Sequence, residues 1–208
     1  NISLESVLSY KYLGVYITSN LDWSLHTENI IKNADRMLGY LRRNFYNVPS
    51  HLKLLLYKTL MRSKLVYASP VWDPTHVNLI TDLEMVQNNS VRFILANCNR
   101  TASITAMKTN LCLPLLTSRR KVFRITLFHK LYHHLALRDR LIPRPIYVSH
   151  RIDHQHKVGI LSCNTKCFSQ SFLPRTSRDW NHLPAEIVGI TNYEQFRVAL
   201  ANIVYSGA

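Results

Sequence analysis

Residues 10–18 alternate in character and are rich in Tyr, Val, Ile and Thr, a pattern that predicts a short strand or hairpin, with Gly14 marking a bulge or a close backbone approach. The period then changes to 3.6. Over residues 25–45, Ile30, Ala34, Met37, Leu38, Leu41 and Phe45 fall on one face at about 100° per residue, with Lys32, Arg36 and Arg43 directly opposite. A second helix starts at Pro49-Ser50 and runs through Leu52, Leu55, Leu56, Thr59 and Leu60, bending on through Leu65 and stopping before Pro70. Trp72-Asp73-Pro74 reads as a turn. A third helix over 76–96 places Leu79, Ile80, Leu83, Val86, Gln87 and Ile94 on one face, and Asn97 and Asn99 end it. A short helix over 102–110 and a longer one over 115–136 follow, the latter turning Val122, Ile125, Phe128, Tyr132 and Leu135 inward, with Phe123 and Leu127 read as further core.

Beyond Pro143 and Pro145 the helical period fades. Tyr147-Val148, Val158 to Leu161 and Phe168 to Phe172 read as short strands or extended segments, before a last helix over 192–204 with Phe196, Leu200 and Ile203 inward. The pattern as a whole predicts a mainly α chain: a thumb-like helical bundle preceded by a short β strand or hairpin, with a small mixed α/β C-terminal segment. Its divisions fall at 1–20, 21–97, 98–142 (a helical connector) and 143–208.

Composition adds a partner to this picture. Twenty-six Lys and Arg against 12 Asp and Glu leave a net charge of +14 on 208 residues, while a 47% hydrophobic content supports a real core. Such an excess repels itself in a compact state, and a polyanion is the economical counterweight. The cations recur in groups: Lys32/Arg36/Arg42/Arg43, Lys58/Arg62/Lys64, Arg119/Arg120/Lys121/Arg124 and Arg138/Arg140/Arg144, interleaved with Tyr132, His133, His134 and Tyr147. Lys and Arg neutralise backbone phosphates without regard to sequence, and aromatic rings stack on bases. The candidate contacts are Lys11, Lys32, Arg36, Arg42, Arg43, Arg62, Lys64, Arg119, Arg120 and Arg124, with RNA, DNA or their hybrid as partner. No apolar run approaches the roughly 20 residues a membrane helix needs, so no membrane partner is expected.

Catalytic signatures are missing. There is no G-x-S-x-G, H-E-x-x-H or P-loop, and five glycines leave little material for phosphate-cradling loops. Seven aspartates (Asp22, Asp35, Asp73, Asp82, Asp139, Asp153 and Asp179) are dispersed, with no adjacent pair to hold two metal ions. His154, His156, Cys163 and Cys167 are ligand types for zinc, but H-x-H-x6-C-x3-C matches no common zinc spacing. Zinc is not expected, and the thiols, with Cys98 and Cys112, read as small buried hydrophobes. Four scattered cysteines and the lack of a signal segment point to a reducing compartment, nucleus or cytoplasm. The start inside a strand-like run, with no Met, suggests a piece of a longer protein.

Lys11-Tyr12-Leu13-Gly14-Val15-Tyr16-Ile17 resembles the strand that follows the catalytic centre in reverse transcriptases of non-LTR retrotransposons. His26, Ile30, Ala34 and Leu38, then Leu56-Tyr57-Lys58, then Leu65 to Trp72, and Val86-Gln87-Asn88 with Val91 to Ile94 are similar to that family's thumb. The tail from Ser171 through Arg178-Asp179-Trp180-Asn181 to Pro184 is similar to the C-terminal segment of animal elements. The resemblance implies a thumb and C-terminal segment that hold RNA template and growing DNA. In the parent RNA-directed DNA polymerase the catalytic Mg²⁺ sits in an upstream palm, next to fingers and an endonuclease. Nothing here corresponds to the paired catalytic aspartates, so the fragment is not expected to polymerise alone. Two other readings stand beside it: a stand-alone, non-enzymatic RNA- or DNA-binding protein of transposon origin, and an inert remnant.

Overall fold

A computed structural model describes residues 7–99, 101–149, 151 and 153–206. The chain is mainly helical, with one antiparallel hairpin at its N-terminal end. It divides into two compact units, one formed by residues up to Ala68 with Pro74–Leu116, the other by Ser69–Asp73 with the residues from Thr117 on.

In the first unit, β1 (Ser9–Tyr12) pairs with β2 (Val15–Thr18), Tyr12 opposite Val15. Gly14 is neither a bulge nor a mid-strand contact: it is half of the turn. Leu13 and Gly14 have φ of 45° and 84°, the two successive positive values that a tight hairpin turn demands. α1 (Ser24–Asn44) buries Ala34, Leu38 and Leu41 and packs on α5 (Val77–Ile94), which buries Leu83, Val86, Val91 and Ile94. α2 (Ser50–Leu56) runs into a π-helical turn, Tyr57–Met61, and on into α3 (Arg62–Val66). The inward positions here are Lys53, Tyr57, Met61 and Leu65, while Leu52, Leu55 and Leu60 face outward. The widened π turn carries the buried Tyr57, whose hydroxyl donates to Gln87 Oε1 at 2.7 Å; Gln87 Nε2 donates in turn to the Pro114 carbonyl at 3.0 Å. α6 (Ile104–Asn110) completes the unit against α5.

Two helix ends close in the left-handed region without glycine. Ala96 (φ 49°) follows α5 and Cys112 (φ 50°) follows α6. Asn97 N–H bonds Arg92 O at 3.0 Å and Leu113 N–H bonds Lys108 O at 2.9 Å, the paired-carbonyl closure that glycine usually provides.

The second unit begins with α4 (Ser69–Trp72). The helix does not stop at Pro70 for good: Ala68 adopts φ 51°, and Pro70 then sits in a new first turn, where a missing N–H costs nothing. Trp72, expected to begin a turn, is instead the last residue of α4 and is fully buried. α7 (Leu116–His133), most of which belongs here, ends earlier than the period suggests, because His134 leaves the helix and its Nδ1 accepts from Leu137 N–H at 3.4 Å to cap α8 (Leu135–Leu141). Leu127 and Leu135 are exposed and Phe123 is half-buried, against their reading as core.

Among the described residues, 143–206 contains no strand. Its expected extended segments at 147–148 and 158–161 are irregular chain, and 168–172 runs from the end of α9 (Lys166–Ser169) into α10 (Phe172–Asn181); α11 (Ala185–Val188) and the expected last helix, α12 (Tyr193–Ser206), follow. Pro174 hid α10 from the sequence, yet it falls in the first turn, where proline is tolerated. Val158 lies in irregular chain, and its N–H and C=O pair with one side chain, Asn181 Oδ1 (2.9 Å) and Nδ2 (2.8 Å), instead of a neighbouring strand. The core gathers Val122, Ile125, Phe128, Trp180, Phe196 and Leu200. Trp180 lies 5.2 Å from the Phe128 ring and donates its indole N–H to His156 O at 3.0 Å.

Candidate nucleic-acid interface

On α1 the apolar face is buried and the opposite face is charged and exposed, as its 3.6 period requires. Lys32, Arg36 and Arg43 lie within a sector of about 40° and span about 16 Å along the axis. Arg42 is exposed to one side, its Nη2 donating to Asn89 O at 3.3 Å. Arg43 Nη1 passes over Gly39, 3.5 Å from where a Cβ would stand. Acid does intrude at one end: Lys32 Nζ lies 3.5 Å from Glu28 Oε2. Both groups are well exposed, so solvent screens the pair and leaves Lys32 free to exchange it for a phosphate.

Elsewhere in this unit Lys11 is exposed on β1, its Nζ 5.2 Å from the Tyr16 ring centre, and Lys64 is exposed on α3 with Arg62 half-buried. His26, on the inner side of α1, accepts from the Tyr16 N–H at 3.3 Å and so ties helix to hairpin. Burial lowers its pKa from 6.5 to about 4, which keeps the imidazole neutral.

The basic group of α7 behaves differently. Arg119 is half-buried over the Phe123 ring. Arg120 and Arg124, expected as exposed backbone contacts, are not surface cations: both are buried and held by carboxylates. Arg120 Nε donates to Asp73 Oδ1 at 2.8 Å, and Arg124 grips Asp73 through Nη1 and Asp179 through Nη2. Arg175, from α10, reaches Asp73 Oδ2 at 3.2 Å and the Asp73 carbonyl at 3.1 Å. Lys121 Nζ stands 3.8 Å from Asp179 Oδ1. The role of Asp73, Asp179 and Arg175 had no sequence signal of its own. One hint was present: Arg120, Arg124 and Phe128 are spaced four apart, so the two arginines sit in line with the most buried ring of the helix.

The zinc candidates have other partners. His154 Nε2 meets Trp180 O at 3.2 Å, His156 Nδ1 meets the Tyr132 hydroxyl at 3.3 Å, and Cys163 Sγ lies 3.1 Å from Leu161 O. Among the described residues no three His, Cys, Asp or Glu side chains come together as a metal-binding set, and Asp73 and Asp179 already hold arginines; the donors present do not fit Mg²⁺. Cys98, Cys112 and Cys167 are exposed and Cys163 half-buried, contrary to their reading as buried thiols. No helix among the described residues is long and apolar enough to cross a membrane.

Comparison with protein-family models, with curated proteins and with solved structures finds no match for this chain.

Proposed function

We propose that this chain is the thumb and C-terminal segment of a reverse transcriptase of the non-LTR retrotransposon type, and that it holds an RNA–DNA hybrid for a catalytic palm supplied upstream. The observation that carries the reading is the geometry of α1: Ala34, Leu38 and Leu41 anchor one face while Lys32, Arg36 and Arg43 stand exposed on the other. A rigid helix presenting cations at helical spacing binds a phosphate backbone by counterion release, without reading sequence. The exposed Lys11 and Lys64 in the same unit support it.

The test is hybrid binding across a salt series for the parent chain and for Lys32→Ala/Arg36→Ala/Arg43→Ala. Loss of three phosphate contacts should flatten the slope of log affinity against log salt by about 2.7, at about 0.9 per contact. Equal affinity and equal slope in the two proteins would remove the stripe as the interface.

A further inference from the structure

The second unit holds more positive charge than its carboxylates neutralise. Arg120, Lys121, Arg124 and Arg175 converge on Asp73 and Asp179, four cations against two anions. Arg120 and Arg124 are almost wholly buried. Among the described residues, Arg124 Nε and both terminal nitrogens of Arg120 have no acceptor. Buried guanidinium groups are costly unless each is matched, so an uncompensated cluster of this kind is poised for a further anion. Burial presses the Arg175 pKa below its ordinary value; the Asp73 charge opposes that, and the Arg124 charge adds to it.

The excess opens on a cleft of about 320 Å³ lined by Thr117, Ser118, Lys121, Arg124, Arg175 and Asp179. Thr117 and Ser118 belong to the first turn of the 18-residue α7, whose backbone N–H groups and dipole favour negative charge. Arginine forks and a lysine point charge beside a helix N-terminus suit a tetrahedral oxyanion.

We propose that this cleft binds a phosphate group, presented by a nucleic-acid backbone. The nucleic-acid source rests on the function proposed above; the phosphate chemistry rests on the cluster alone. One backbone phosphodiester, a monoanion, would offset half of the two-charge surplus, with Lys121, the most exposed of the cluster's ion-paired cations, closing over it.

Sodium phosphate titrated into the full chain, in chloride buffer of constant ionic strength, tests the site by calorimetry. Saturable one-to-one binding is expected, weakened about five- to tenfold in Lys121→Ala, restored in Lys121→Arg and strengthened in Asp179→Asn. Lys121 is half exposed, so its truncation leaves the fold intact, and the gain in Asp179→Asn is one that a purely structural cluster would not give. No saturable binding, or equal binding in Lys121→Ala, overturns the site. An RNA–DNA hybrid is the second probe: Lys121→Ala should weaken its binding, and an unchanged affinity overturns the nucleic-acid source. A wild-type chain that binds phosphate but no hybrid overturns the proposed function while the oxyanion site stands.

Discussion

In the first unit α1 turns its cations away from the core, with Ala34, Leu38 and Leu41 inward and Lys32, Arg36 and Arg43 in solvent. In the second, α7 turns Arg120 and Arg124 inward, beside Ile125 and Phe128, and closes them on Asp73. The same residue type serves two ends. Outside, a guanidinium keeps its hydration and its freedom to meet a polyanion. Inside, it depends on carboxylates brought from sequence positions about 50 residues away on either side. A run of basic residues therefore says little about surface charge until the helix face it occupies is known.

The largest expected effect breaks the interior arrangement. Asp73→Ala leaves Arg120, Arg124 and Arg175 around a missing counter-charge and should cost about 3–5 kcal/mol, as removal of one partner from a buried ion network does. Thermal unfolding followed by circular dichroism checks it, with a midpoint about 10 °C or more lower. A loss below about 1 kcal/mol would mean that the interior charges are not structural.

Acid is the next lever. Folded His26, with its pKa lowered to about 4, stays neutral where the unfolded chain, near 6.5, already binds a proton. Its contribution is complete above pH 6.5 and disappears as pH falls to about 4, a loss of about 3 kcal/mol. In the second unit burial lowers the pKa of His129, and that of His133, in the same sense. Urea unfolding at pH 7 and pH 4.5 should show the drop, and His26→Gln should flatten the profile. An equal acid sensitivity in that variant would assign the effect to the other histidines.

The smallest effect is on the exposed stripe. Each of Lys32→Ala, Arg36→Ala and Arg43→Ala should change stability by no more than about 0.5 kcal/mol, since none leaves a buried group unmatched. The urea midpoint measures this, and a large shift in any one would place that residue in the fold rather than at an interface.

Where a single apolar stripe met a single neighbour, the sequence was legible. The helices expected at 25–45, 76–96, 102–110 and 192–204 are Ser24–Asn44, Val77–Ile94, Ile104–Asn110 and Tyr193–Ser206. Less legible were places where local chemistry departs from the usual signals. The π turn at Tyr57–Met61 brought Lys53 and Tyr57 inward and left Leu52 and Leu55 outside. Ala96 and Cys112 took helix-end conformations usually given to glycine. Asn181 satisfied Val158 in place of a strand partner, so the expected strands had nothing to pair with.

By itself the sequence determined the helical class, the hairpin and the two-faced character of α1, because periodicity and charge are properties of neighbours along the chain. Tertiary structure alone decided which arginines are outside. Arg120 and Arg124 are buried because Asp73 and Asp179 reach them across 47 to 55 positions, and a desolvated charge is tolerable only where its partner also arrives. The chain order of these four side chains, and of Lys121 and Arg175 beside them, carries no trace of their convergence, nor of the positive surplus it leaves facing the cleft.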